Sequence, residues 1–243
     1  MGLFDRFKKK EVKKYVINTI DKSDWLQVFS YCLGKMMVIQ NNASEYVVKN
    51  QNWNVDFSKG TIAFGNDEYP VQFIGSESNI SNTWNWGWNN INKFQDSILL
   101  LANETLVNGF EFNLNALKLA QFELDDTYNG HHLSIVACAL SKDDYFYYRG
   151  PHDKGAVLMA VGNLPKEVFS PINLTEFINL TMECIHQFTI DHKIFVEALL
   201  EWNKTFYTWK KDGLIAHFNQ DLSISFEKVN DLYRIIQINT DKL

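Results

Sequence analysis

Apolar residues that recur every three or four positions predict helices in several parts of the chain. The first helix begins at Asp21 or Ser23, either of which can cap it, and continues with one apolar face. Similar spacing predicts a helix over about residues 93–108, where Gly109 is a typical stop. A further helix is predicted over residues 126–140, capped by one of its first two residues.

The longest helical pattern lies between residues 173 and 203. Its start, from Asn173 to Glu176, matches a capping box with Asn in place of Ser or Thr. Apolar residues then keep nearly heptad intervals as far as Trp202. We predict one long helix near residues 173–203, or two nearly collinear helices with a break near Asp191.

Elsewhere the apolar period changes to two, which is typical of strands. Residues 53–74 predict three antiparallel strands, residues 75–78 a bend or bulge, and the segment from about residue 81 a fourth strand. Residues 145–161 predict a hairpin, and residues 205–238 predict a second meander. Together the patterns predict an α+β fold, in which antiparallel β-meanders pack against α-helices.

The same pattern predicts the domain organisation. Residues 1–20 are predicted to be a flexible basic segment, and residues 21–243 a single compact α+β domain, because no stretch rich in Pro, Gly or Ser marks a linker. A helix followed by a meander occurs near both ends, and the turns within residues 53–64 and 209–218 are loosely similar. Two similar helix-plus-meander halves therefore remain an alternative.

The most distinctive segment is Thr83 to Asn90, where Trp84, Trp86 and Trp88 occupy every second position. In an extended strand these three side chains would share one face, with about 7 Å between successive indoles. They would then form either a ledge for sugar rings and other flat ligands or the middle of the hydrophobic core. Asn85 and Asn90 are expected to bind backbone or to line the edge of a cleft.

This segment resembles the centre of an uncharacterised bacterial family, which reads Thr-Trp-x-Trp-x-Trp-x-Asn. The resemblance covers roughly the first two thirds of the chain. It implies no activity and no catalytic residue. Asn85 departs from the pattern, because an apolar residue is expected there. The matching residues are Thr83, Trp84, Trp86, Trp88 and Asn90, with Trp53, Asp56 and Phe57 and the segments 74–76 and 148–151 around them.

Composition narrows the classes of partner. The net charge of −6 argues against nucleic acid, because a phosphate backbone is bound by a clustered positive surface. The three cysteines stand far apart without CxxC spacing, and the N-terminus lacks a signal-peptide core. We therefore expect reduced thiols and a cytoplasmic location. Leu3, Phe4 and Phe7, followed by lysines, predict at most weak contact of residues 1–14 with a membrane surface.

Two clusters of titratable residues are candidates for chemistry. Arg149, His152 and Asp153 lie in one loop and its approach, where they could hold an anionic ligand or perform acid–base catalysis. A turn closed by an Arg–Asp pair is the alternative. The adjacent His131 and His132 point about 100° apart on a helix, so we predict no metal site there.

The strings GxSxG, HExxH, GxxxxGK[ST] and GxGxxG are absent, and no cofactor is predicted. The sequence therefore favours a cytoplasmic module that binds a small molecule or a protein. The alternative is a hydrolase-like enzyme that acts on a small anionic or glycosidic substrate through Arg149, His152 and Asp153. The candidate ligand-binding residues are Trp84, Asn85, Trp86, Trp88, Asn90, Arg149, His152 and Asp153.

Overall fold

The computed structural model describes residues 16–240, so the predicted membrane contact of residues 1–14 lies outside it. The α-helices are α1 (Trp25–Ala43), α2 (Leu100–Phe112), α3 (Asn115–Lys118), α4 (Gly130–Leu140), α5 (Leu174–Gln187) and α6 (His192–Trp202). The strands are β1 (Trp53–Asp56), β2 (Thr61–Phe64), β3 (Asp67–Ser78), β4 (Thr83–Trp86), β5 (Gln121–Glu123), β6 (Phe146–His152), β7 (Gly155–Val161), β8 (Phe206–Lys210), β9 (Gly213–His217), β10 (Asp221–Val229) and β11 (Leu232–Thr240). The predicted α+β class is confirmed.

Helix α1 lies at the centre of the helical layer and packs against both α4 and α6. Its cap is Asp24, whose carboxylate accepts hydrogen bonds from the backbone N–H groups of Leu26 and Gln27. Asp21 instead accepts from Ser23 in the preceding turn. The predicted cap at Asp21 or Ser23 was therefore wrong by one to three residues.

The first sheet is arranged around β3, the long strand that pairs with β2, β4 and β7. Strands β1 and β5 continue it on one side, and β6 pairs with β7 on the other. The bend predicted over residues 75–78 is absent, because β3 continues to Ser78. Its pairing register with β7 shifts between Phe73 and Gly75, which is the bulge that the sequence left as an option.

The tryptophan segment is extended only as far as Trp86, so the prediction of one strand with three aligned indoles was wrong. Residues Gly87–Asn89 form a 3-10 turn, and Asn90 has a left-handed backbone with φ of 43°. The Asn90 side chain holds this turn, since it accepts from the N–H of Phe94 and donates to the carbonyl of the same residue. Trp88 therefore leaves the line of Trp84 and Trp86.

Helices α2 and α4 begin later than predicted. A 3-10 turn at Asp96–Ile98 precedes α2, and Gly109 lies inside this helix, which ends at the left-handed Asn113. At α4 the cap is Asn129, whose side chain accepts from the N–H of His132. The predicted caps Asp126 and Thr127 lie in the turn before it.

The single long helix predicted near residues 173–203 is two helices, α5 and α6. The predicted capping box of Asn173 and Glu176 is confirmed. The break falls near the position predicted in the alternative: Asp191 accepts from the N–H groups of Lys193 and Ile194 and starts α6.

The second meander is confirmed as an antiparallel sheet in the order β11-β10-β9-β8. Inward residues of β9 and β10, such as Leu214 and Ile224, belong to one continuous core that also contains Leu33 of α1 and Trp84. Across residues 16–240, no helix combines the length and the apolar character that a membrane crossing needs.

Candidate functional site

Trp84 and Trp86 are core residues, which was one of the two interpretations left open by the sequence. Both side chains have no exposed surface, and their rings meet edge to face with centroids 5.1 Å apart. The indole Nε1–H of Trp86 donates to the carbonyl of Ala116 at 2.8 Å. These two rings thus have no face available for a ligand in this structure.

The asparagines around the tryptophans bind the chain itself. Asn85 is only 8% exposed, donates to the carbonyl of Trp86 and accepts from the side chain of Asn89. Asn90 bonds to the backbone of Phe94. Of the two roles expected for Asn85 and Asn90, the structure shows backbone binding. Trp88 is partly exposed as a residue.

Arg149, His152 and Asp153 do not converge. The Nε–H of Arg149 donates to the Glu77 carboxylate at 2.8 Å, so the predicted Arg–Asp pair is replaced by an Arg–Glu pair. The second oxygen of Glu77 accepts from the N–H of Gly130 at 2.8 Å. His152 and Asp153 are exposed at the β6–β7 turn, where His152 Nδ1 accepts from the N–H of Lys154.

The two adjacent histidines point to different partners. His131 Nδ1 lies 3.1 Å from the Tyr147 hydroxyl, and His132 Nδ1 lies 3.0 Å from the carbonyl oxygen of Thr127. No group of three or more His, Cys, Asp and Glu side chains within residues 16–240 has the proximity that a metal site requires.

His132 is instead part of a cleft that the sequence did not predict. The cleft has a volume of about 430 Å³, within the range of small-molecule sites. It lies where the first turns of α1 and α4 meet the end of α5. Four rings line it: Trp25, Phe29, His132 and Phe188. We call it the aromatic cleft.

The rings of the aromatic cleft hold one another in place. Phe29 stacks on Trp25 with centroids 6.1 Å apart, and it also lies 4.6 Å from the His132 ring. Phe188 is 6.0 Å from Phe29 and 5.7 Å from His132. Trp25 and Phe29 are almost fully buried, while His132 and Phe188 are half-buried. The floor is therefore rigid core, and the outer rings are accessible.

Polar groups complete the rim. They come from the loop before α4 and from the end of α5: Asp126, Thr127, Asn129, Gln187 and Thr189. Because His132 Nδ1 faces the carbonyl oxygen of Thr127, which can only accept, this nitrogen carries the proton in the neutral ring. The other nitrogen, Nε2, is then an acceptor.

No local pattern in the sequence predicts this cleft. Trp25, Phe29 and His132 fit the apolar faces of their own helices, and Phe188 continues the spacing of α5. Their contacts join segments more than 50 residues apart, so only the packing of α1, α4 and α5 creates the cleft.

Cys32, Cys138 and Cys184 are buried and unpaired. Burial raises the pKa of each thiol, and that of Cys184 reaches about 12. A thiol that stays protonated is a poor nucleophile.

No curated protein and no solved structure matches this chain. A model of a family of unknown function matches residues 26–164, which include α1 except its first residue, the whole first sheet and α4. This match takes in more than half of the chain, and the chain therefore belongs to the family of unknown function DUF6882.

Proposed function

We propose that this protein is a non-covalent binding module and that its ligand occupies the aromatic cleft. The observation that carries the proposal is the cleft itself: about 430 Å³ of space lined by four rings and rimmed by polar side chains. Ligand sites are mostly apolar concavities with a few polar groups that fix orientation. Trp25 and Phe29 are almost fully buried in the core, and a floor that packing holds in place lowers the cost of ordering on binding.

The residues that the sequence predicted as ligand-binding support a binding site less well than the aromatic cleft does. Trp84 and Trp86 are enclosed, and Arg149 is paired with Glu77. Hydrolysis would require an acid and a base that reach the same substrate atoms, whereas His152 and Asp153 point away from the core at an exposed turn. We therefore propose binding and do not propose a hydrolase.

The cellular setting belongs to the proposal as well. Three buried, unpaired cysteines suit a reducing compartment such as the cytoplasm. The resemblance to a bacterial family adds the proposal of a bacterial origin.

The proposal is tested by NMR on the ¹⁵N-labelled full-length protein. Seven tryptophans give seven indole N–H resonances, and Trp25→Phe identifies the one at the cleft. During titration with small aromatic fragments such as 2-phenylethanol, the Trp25 resonance is expected to shift, because its ring lines the cleft. The resonances of Trp84 and Trp86 are expected to stay in place.

Phe188→Ala removes one accessible wall and is expected to weaken fragment binding at least fivefold, since about 1 kcal/mol or more of contact is lost. Phe206→Ala is the matched control, because this ring is 66% exposed on β8 and is not part of the cleft. Shifts confined to Trp84, Trp86 and Trp88 would move the site to the tryptophan segment and refute the proposal.

A further inference from the structure

We infer that the ligand of the aromatic cleft carries a positive charge, as an ammonium or guanidinium group attached to an apolar body. The inference rests on the proposed function and adds the chemical class of the ligand. It depends on the sign of the charges around the cleft, on the hydrogen-bonding groups that remain available, and on the rings.

The fixed charge at the rim is negative. Asp126 is exposed, and its carboxylate has no hydrogen-bond partner or ion pair within residues 16–240. None of the ten described residues that line the cleft is a lysine or an arginine. The chain as a whole carries a net charge of −6, which adds a long-range attraction for cations.

The cleft lies beside the N-termini of α1 and α4, which in principle attract anions. At both ends several of the first N–H groups already have acceptors. Asp24 accepts from the first N–H groups of α1, and Glu77 accepts from Gly130 at the start of α4. The side-chain oxygen of Asn129 accepts a hydrogen bond from the N–H of His132. An anionic ligand would find these donors in use and a carboxylate already placed at each helix end.

The rim also offers two strong acceptors, a carboxylate and an imidazole nitrogen. Asp126 presents its carboxylate, and in the neutral ring of His132 Nε2 is an acceptor because Nδ1 donates to the carbonyl of Thr127. Asp125 adds negative charge in the same turn, where its carboxylate accepts from the N–H groups of Thr127 and Tyr128. A ligand that brings N–H donors and positive charge complements this set.

The rings suit the same ligand. Phe188 and the edge of the Trp25–Phe29 stack offer apolar surface to the ligand body, and ring faces attract cations through their quadrupole. An ammonium group near Asp126 with an apolar body on Phe188 uses both parts of the cleft.

The test compares three probes that share a phenylethyl body by NMR titration at pH 7.5: 2-phenylethylammonium, 2-phenylethanol and 3-phenylpropionate. We expect the ammonium compound to bind about tenfold more tightly than the alcohol, the size of one charge-assisted contact, and the carboxylate to bind most weakly. Asp126→Asn is expected to reduce the affinity for the ammonium compound to that for the alcohol. The affinity for the alcohol is expected to be the same in this variant and in the unchanged protein.

Asp153→Asn is the matched control, since it removes the same charge from an exposed turn that does not line the cleft. If the alcohol or the carboxylate binds as tightly as the ammonium compound, the inference about charge is refuted and the binding function stands. If no probe shifts the Trp25 indole, the proposed function itself is refuted.

The ammonium group could belong to a free amine or to a lysine side chain of another protein. A lysine tripeptide blocked at both ends distinguishes these sources. Binding of the tripeptide with at least the affinity of 2-phenylethylammonium assigns the cleft to a protein side chain. Binding of the free amine alone assigns it to a small molecule.

Discussion

At the scale of single residues, two glycines allow a side chain to lie directly against the backbone. A Cβ atom on Gly75 would collide with the ring of Trp84 and would lie 2.6 Å from the carbonyl oxygen of Asn85. On Gly130, a Cβ atom would collide with the Glu77 carboxylate. Glycine at these positions allows an indole and a carboxylate to lie directly against neighbouring backbone.

We predict that Gly75→Ala lowers the free energy of unfolding by about 3 kcal/mol, because the methyl group meets both a buried ring and fixed backbone. Urea denaturation followed by tryptophan fluorescence measures the loss.

Gly162→Ala is the control for Gly75→Ala. Its added methyl group would lie 3.0 Å from Cε1 of Tyr145, a half-buried side chain that can turn away, so we expect a loss below about 1 kcal/mol. Equal losses in the two variants would show that the ring of Trp84 does not limit the space at Gly75.

At the scale of elements, side chains bind backbone groups on one edge strand of each sheet. The Gln40 amide of α1 accepts from the N–H of Tyr147 on edge strand β6 and donates to its carbonyl, both at 2.9 Å. On edge strand β11, Asp191 accepts from Tyr233 and His192 accepts from Ile235. These residues satisfy backbone groups that would otherwise be free to pair with another chain.

The His192 ring is held in its neutral form by these contacts. Its Nδ1 faces the N–H of Ile235, and its Nε2 lies 3.0 Å from Nη1 of Arg234. Both neighbours are donors, so a protonated ring would oppose them with two N–H groups of its own. Burial and, after it, the charge of Arg234 lower the pKa of His192 to about 4, although Asp191 opposes the shift.

Stability should therefore depend on pH through His192. The folded-state pKa of about 4 lies below the unfolded value of 6.5, so the unfolded chain binds the proton first. The contribution of His192 is complete above pH 6.5 and is lost as the pH falls toward 4. We predict a loss of about 1–2 kcal/mol over this window after allowance for solvent screening.

His192→Asn keeps an acceptor near the Nδ1 position but cannot titrate, so its unfolding free energy should fall less than that of the unchanged protein between pH 6.5 and 4.5. Urea denaturation at four pH values measures the slopes. His186→Gln, at an exposed position on α5, should retain the full slope. A His192→Asn slope that matches the unchanged protein would assign the pH dependence to other groups.

At the scale of the whole molecule, the family match ends at residue 164, but the hydrophobic core continues into the residues that follow. Helix α6 approaches α1 closely at Gly34, where a Cβ atom would lie 3.0 Å from Cβ of Leu199 and 3.2 Å from Cε2 of Phe195. Residues of the second sheet also belong to the main core. The matched part of the chain therefore has an apolar side that residues 165–240 cover.

We predict that the intact chain unfolds in one cooperative transition, with equal calorimetric and van't Hoff enthalpies. A fragment that ends at residue 164 is expected to bind a hydrophobic dye and to lose its cooperative melt, because the face of α1 around Gly34 becomes exposed. Two separate transitions in the intact chain, or a fragment that melts cooperatively without binding dye, would show two independent domains.

The sequence by itself determined the local structure wherever the apolar period, the turn residues or a helix cap indicated one element clearly. Alternation and turn residues identified both meanders and the β6–β7 hairpin, and the Asn173–Glu176 capping box marked the start of α5. The expected membership of a family of unknown function is confirmed by a family model over residues 26–164. These features depend on neighbours in the chain, and a single sequence contains that information.

Only the tertiary structure decided which polar groups meet. Arg149 pairs with Glu77, which lies 72 positions earlier, and not with Asp153 in its own loop. Strand β4 includes Trp84 and Trp86 but not Trp88, because a turn held by the hydrogen bonds between Asn90 and Phe94 follows it. The aromatic cleft joins residues from three helices whose ring contacts no local periodicity encodes. Contacts between distant segments depend on how the helices pack, and this is where the candidate site of the protein arises.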